Sequence, residues 1–489
     1  MKKFCAVLTF LLIGVCALCA KGRIEQITVA MDIGKGDSVT LNPYVASDSS
    51  SVLILQNLYE GLYEYDSATS RPVPALAQKT EVSEDGLVWT FTLENCFFSD
   101  GSPITSETFA KSWRYLQSST LANALSLVES FETPDPRTLV VRLKHAASYF
   151  PSVLCQPCLA AADPDNSTRY SGAYTVFTRT DDEIVLTYNT RYREKVGCRR
   201  IRVLITPDGD FSQDFASGDI HWSMAFVDNA ADYLEVSPAY GTSFFYFSSA
   251  SGLYADSSMQ RALARLVPTD YIRQIENSVM PSYSLVPESG AKALYRGTLS
   301  SDIANAFVGN SINSNSDIPV LKIAVHRGDW AVLAGQLIQE TWAAALKSTV
   351  TLDTVPITVY TSDPAENPYD FCLLTWIADY LDPQAFLSMF RSDSSYNLAR
   401  FSNSEYDRIL DEAEQHTGSE RQVLLLKAEQ ILLDSGTIIP VSTAISANYV
   451  RSDLLEGWSA NLLDVHPFKK LSIKAVSPEP TQAGDQTLR

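Results

Sequence analysis

An α/β fold spread over more than one lobe is predicted by three observations. A strand pattern at Leu321 to Val325, a helical run from Trp330 to Leu346 and a second alternating run from Val350 to Tyr360 form a local strand–helix–strand unit. Short strand patterns recur elsewhere between helical runs, among them Ile24 to Ala30, Tyr174 to Phe177, Glu183 to Tyr188 and Arg200 to Ile205. The chain of 489 residues is 45% hydrophobic and 19% charged, ample apolar material for two or three globular lobes and too much for one core.

The first elements follow in order. Lys2 and Lys3 precede the apolar run Phe4 to Ala20, a secretory signal pattern too short for most membrane spans. Residues 1–20 are therefore assigned as a signal peptide, with Cys19 a candidate lipidation site and cleavage expected near Ala20 to Gly22. Gly34 and Gly36 lack the dinucleotide and phosphate-loop patterns and are turn glycines. Ser51 to Tyr59 is a helix that Gly61 closes. Asp85-Gly86 is a turn before the alternating Val88 to Leu93. Thr105 to Leu116 is a helix capped by Thr105, with Phe109, Ala110, Trp113 and Leu116 on its apolar face.

Beyond the strands of the middle third, Phe244 to Phe247 is a buried strand candidate, and Met259 to Leu266 is a helix. In the Trp330 to Leu346 helix, Leu333, Leu337, Ile338 and Trp342 recur at helical spacing. Asp370 to Thr375 is strand-like, Ser404 to Glu414 and Arg421 to Leu433 are helical, and Thr437 to Val441 resumes a strand after Gly436. The tail after Ser477 is small, polar and proline-containing, which predicts a frayed end.

Composition narrows function. A net charge of -19 disfavours nucleic acid and anionic membrane surfaces. The five histidines form no metal-like cluster, and no serine-hydrolase elbow, zinc-hydrolase motif or kinase set is present, so no cofactor or metal is expected. Cys155 and Cys158 are a candidate structural disulfide, or else buried thiols, in an exported chain; their spacing also fits a redox pair, but no second pair completes a zinc site. Paired carboxylates such as Asp379 and Asp382 keep an exported hydrolase open as an alternative.

The stretch from Trp376 to Phe390 combines aromatics, two carboxylates and a proline where a strand hands over to a turn, a common way to build a ligand wall. An aromatic core edge with a solvated turn is the other reading of the same residues. A peptide offers a positive amino terminus and a backbone of donors and acceptors. Asp379 is suited to the first, with Trp376 and Tyr380 as broad apolar walls.

Taken together, the motifs resemble those of the extracytoplasmic substrate-binding proteins of ATP-driven (ABC) oligopeptide and dipeptide importers, the family 5 solute-binding proteins. Leu41-Asn42-Pro43, Tyr59-Glu60-Gly61-Leu62, Pro74 to Ala77, Val82 to Gly86, Trp89 to Phe91 and Phe98 to Thr105 occur in the family's order. Gly172-Ala173-Tyr174, Ile184 to Leu186, Asn189, Arg261-Ala262-Leu263 and Trp376 to Pro383 continue it, followed by Phe386, Leu387, Asn397, Phe401 and Glu405 to Asp407. Three positions depart: the acidic residue of Gly218-Asp219-Ile220 is displaced, Gln260 replaces a commoner apolar residue, and Ile377 stands where relatives often carry cysteine.

The resemblance implies a periplasmic-binding-protein-like α/β fold with two ligand-closing lobes, an additional early domain and mixed sheets flanked by helices. It divides the chain into lobe I at 23–62, 172–250 and 465–480, the additional domain at 63–171, lobe II at 251–464 and a flexible tail at 481–489. It implies a non-enzymatic, monomeric, periplasmic protein that closes on short peptides and presents them to an ABC permease. Asp379 would pair with the peptide α-amino group, with Trp376, Tyr380, Gly61 and Leu62 as further ligand-binding positions. A nickel complex or other non-peptide solute is the alternative cargo.

Overall fold

The computed structural model describes residues 25–33, 38–46, 48–205, 209–275, 280–361, 364–394 and 396–474. The signal peptide expected at residues 1–20, the candidate lipidation site Cys19, Gly34, Gly36 and the tail at 481–489 lie outside them.

One mixed sheet runs through the molecule. Its order is Tyr174–Arg179, Glu183–Tyr188, Arg200–Ile205, Gln26–Met31, Trp222–Ser223, Ile438–Val450, Leu234–Phe247, Phe371–Ile377, Leu321–Val325 and Val350–Thr354, with Met280–Pro281 added against Ile438–Val450. Parallel pairing joins Gln26–Met31 to Arg200–Ile205 and Leu321–Val325 to Val350–Thr354, whereas the two long central strands pair antiparallel. A separate four-stranded antiparallel sheet contains Ala77–Val82, Val88–Leu93, Thr138–Leu143 and Val128–Asp135.

Burial divides the chain into core regions that the long strands connect. The first core takes residues from Ile27 to Ile205, together with Trp222 and the return from Val450 to Leu471. Two further cores, on opposite faces of the sheet's other half, draw on Phe244 to Val441. Alternate residues explain the division: Phe244 and Tyr246 point into one of these cores, Phe245 and Phe247 into the other.

Local chemistry fixes the helices. The Ser106–Leu116 helix carries Thr105 at its cap with a reciprocal Thr105–Thr108 box, and Phe109, Trp113 and Leu116 are buried on one face. Asp329–Leu346 buries Ile338 and Trp342, the latter donating Nε1–H to Leu263 O at 3.1 Å. Gly418–Ser435 ends at Gly436, whose φ of +74° supplies the left-handed cap.

Three sequence expectations are corrected. The strand begun at Val350 stops at Thr354, and Thr358–Thr361 is a short helix, because Pro356 cannot continue the ladder. The strand expected at Phe244 to Phe247 extends over Leu234–Phe247, and that expected at Thr437 to Val441 extends over Ile438–Val450. Their mutual pairing sustains segments whose Pro238, Gly241 and serines give little strand signal alone. Among the described residues, no helix is long and apolar enough to cross a membrane.

Candidate functional site

Asp379 lies on the turn that leaves the Phe371–Ile377 strand and enters the Gln384–Leu387 helix. Protein atoms crowd around it, yet its own surface remains exposed. Desolvation pushes its pKa up to about 6. Among the described residues, no cation offsets that penalty. The turn therefore presents an anion without a countercharge.

Contacts from the first core converge on this turn. The Tyr65 hydroxyl lies 2.9 Å from Asp379 O and 3.0 Å from Ser152 O, placed to donate to either carbonyl. Tyr149 stacks on Tyr380 with ring centroids 5.5 Å apart and planes 5° apart. Tyr240, Tyr380 and Tyr396 pack against both the first core and the neighbouring core. Burial raises the Tyr396 hydroxyl's pKa and pushes the Cys158 thiol up to about 12, and the Asp379 charge adds to both effects.

Trp376 is half-buried on the preceding strand, opposite Thr242, and its buried indole Nε1–H has no hydrogen-bond partner among the described residues. Asp382 is differently placed: both oxygens accept from Arg421 at 2.8 Å, so its charge is already answered. The two carboxylates of the sequence motif thus separate into an open anion at Asp379 and a structural ion pair at Asp382.

Gly61 and Leu62 are placed some way along the chain from this turn, with tight backbone surroundings. Gly61 O accepts from Leu76 N at 3.1 Å and Leu62 O from Ala75 N at 2.9 Å, while the Leu62 side chain is fully buried. A Cβ on Gly61 would come within 2.8 Å of Leu154 O. Beside them Glu60 is buried and accepts from Tyr192 Oη at 2.7 Å and Arg193 Nη2 at 2.8 Å. Lys469 Nζ reaches Glu64 Oε2 at 2.6 Å and Tyr192 Oη at 2.9 Å, joining the carboxyl-terminal return to the same network.

Cys155 and Cys158 are buried free thiols rather than a disulfide, their sulfurs turned toward Pro151 O at 3.4 Å and Gln156 Oε1 at 3.9 Å. Burial pushes both thiols above their ordinary range. Sequence reasoning singled out Asp379, Trp376 and Tyr380 but passed over Tyr65, Tyr149, Tyr240 and Tyr396. Tyr65 and Asp379 stand 314 residues apart in sequence, and no local pattern links them. Among the described residues, no group of three His, Cys, Asp or Glu side chains could hold a metal ion.

Core regions joined by two long strands, with an open anion and aromatic walls at their junction, define a lobed binding protein. Residues 71–397 match the model of the bacterial extracellular solute-binding proteins, family 5, and the chain belongs to that family. It is 23% identical to the oligopeptide-binding protein OppA of Bacillus subtilis, covering 83% of this chain and 86% of that one. It is also 23% identical to the probable deoxycholate-binding periplasmic protein YgiS of Escherichia coli, covering 83% and 86%.

Among solved structures, the murein tripeptide binding protein MppA of Escherichia coli superposes with a TM-score of 0.81 at 20% identity, covering 93% of this chain and 99% of that one. Haemophilus influenzae OppA in complex with the peptide RPPGFSPFR gives 0.81 at 20%, covering 92% and 99%. The unliganded open form of MppA gives 0.63 at 20%, covering 92% and 98%. The periplasmic-binding-protein-like fold is thereby shown, with mixed sheets flanked by helices in a two-lobe arrangement.

Proposed function

We propose that this protein captures short peptides outside the cytoplasm, anchoring the α-amino group on Asp379, and delivers them to an ABC permease. The observation that carries this reading is the carboxylate of Asp379, crowded by protein, raised to about 6 and answered by no cation among the described residues. A protonated amine reaching this carboxylate would hold Asp379 ionised and supply the missing countercharge, a gain largest where water is sparse. Trp376, Tyr380, Tyr396 and Tyr240 form walls whose broad faces accept varied side chains. Recognition through the amino group and broad faces selects a class of ligand rather than one sequence.

Capture requires only that binding favour one arrangement of the lobes, which needs no covalent chemistry. The likeness to the oligopeptide-binding OppA and the murein tripeptide-binding MppA supports peptide cargo, and the family's transport role supports a permease partner. YgiS favours a second reading, because an amphipathic steroid acid would also lie against aromatic walls. A free carboxylate at Asp379 opposes an acidic ligand there, so the peptide reading is preferred.

The test is to release copurified ligands from the mature protein under denaturing conditions and identify them by mass spectrometry. A ladder of short peptides with free amino termini is expected. A uniform steroid, nickel complex or other non-peptide solute, with peptides failing to bind in titration, would overturn the assignment. Recovery of chemically altered peptides would point instead to hydrolysis.

A further inference from the structure

The turn that carries Asp379 is held at its ends through Ala378 N to Tyr240 O, on one of the two long connecting strands, and Asp382 N to Tyr380 O, both 2.9 Å. Its middle is held from the other side. Tyr65 reaches the Asp379 carbonyl, and the Tyr149 ring lies flat on Tyr380. The Tyr149 ring also receives the Arg421 guanidinium 5.0 Å from its centroid, and Asp382 fixes that guanidinium with two bonds of 2.8 Å. Four residues before Tyr149, His145 Nε2 approaches Glu414 Oε2 at 3.4 Å.

We propose that the segment from His145 to Tyr149 is a clasp, with Tyr149 a positioning residue that sets the Asp379 turn in its ligand-binding attitude. Tyr149 belongs to the first core's surroundings, whereas Arg421, Asp382 and Glu414 belong to the other half. Engagement of the clasp and orientation of Asp379 are therefore one event. A ligand that pulls on Asp379 favours the engaged clasp, and the engaged clasp slows the ligand's escape, by reciprocity of coupled equilibria. The proposal rests on Asp379 being the ligand anchor.

The test compares wild type with Tyr149→Ala, Tyr149→Leu and Tyr149→Phe. Hydrogen exchange at the amides of residues 378–382, in protein as purified, is expected to quicken about tenfold in Tyr149→Ala and to stay within about twofold in Tyr149→Phe, which keeps the ring. Tyr149→Leu keeps apolar volume without the stack and is expected to follow Tyr149→Ala, so a folding defect confined to the alanine variant does not decide the matter. With trialanine as probe, dissociation should quicken about tenfold in Tyr149→Ala while association stays within about threefold. Unchanged exchange at 378–382, or unchanged dissociation of bound trialanine, overturns the clasp. If wild type binds no peptide yet the exchange difference appears, the clasp stands and the peptide assignment fails.

Discussion

At Asp379 the ligand-free protein keeps a carboxylate where its ionised form is disfavoured. Its pKa, raised to about 6, lies above the usual carboxylate value, so between roughly pH 4 and pH 6 the native state holds a proton that the unfolded chain has released. This group's contribution to stability is therefore fully present below about pH 4 and lost as the pH rises through 6. Burial alone would set the loss at about 3 kcal/mol, and solvent reaching the carboxylate lowers it to about 1–2 kcal/mol. Asp379→Asn is expected to raise the ligand-free melting temperature at pH 7.5 and leave it unchanged near pH 4, measured by calorimetry. Binding of an amine has the opposite sign, because it needs the ionised form. The Kd for trialanine should be about tenfold weaker at pH 5 than at pH 7.5, and Asp379→Asn should weaken it by about 3 kcal/mol, roughly a hundredfold, and abolish that pH dependence. A pH-independent Kd in wild type would exclude Asp379 as the anchor.

Among the elements, the Tyr59 to Leu62 motif owes its importance to packing. Buried Glu60 answers Arg193 and Tyr192, and removing it would leave the guanidinium only the more exposed Glu194, at 2.7 Å, and Glu94, at 3.6 Å. Glu60→Ala is expected to cost about 3 kcal/mol, read as a lower urea midpoint. Gly436 carries a similar local demand: it needs a positive φ, and a Cβ there would come within 2.8 Å of Arg261 Cα. Gly436→Ala should cost more than the ~1 kcal/mol of an open helix cap, because the Ser257–Leu266 helix backbone must move as well. Features of this kind were legible in the sequence because they are local: the Thr105 cap, the Leu321–Val325 strand and the Gly436 stop each depend on neighbours a few residues away. The upstream half of Leu234–Phe247 was not, since its pairing is imposed by the strands beside it. For the same reason Asp379, Trp376 and Tyr380 could be singled out from one stretch, whereas Tyr65 and Tyr149 became visible only once the chain had folded back on them.

Across the whole molecule, the described chain passes between its two halves in two long neighbouring strands, Leu234–Phe247 and Ile438–Val450. Their pairing is interrupted between Pro238 and Thr242. In that gap Tyr240 N turns to Leu462 O at 2.6 Å, and Ala378 N bonds to Tyr240 O at 2.9 Å. The interruption thus lies beside the Asp379 turn, so a rotation of one half against the other there also moves Asp379, the proposed ligand anchor. Gly241 fills the narrowest point: a Cβ would come within 2.6 Å of Trp376 O and 2.9 Å of both Ala444 Cβ and Ile377 Cα. Neither backbone neighbour can give without a shift of its strand, so Gly241→Ala is expected to cost about 1–3 kcal/mol and to hold the central strands apart. In small-angle scattering, wild type stripped of ligand should contract when saturated with trialanine, whereas Gly241→Ala should contract less at equal occupancy. Equal contraction of the two proteins would show that the pivot lies elsewhere, and the break in strand pairing would then be only the price of fitting Pro238 into the sheet.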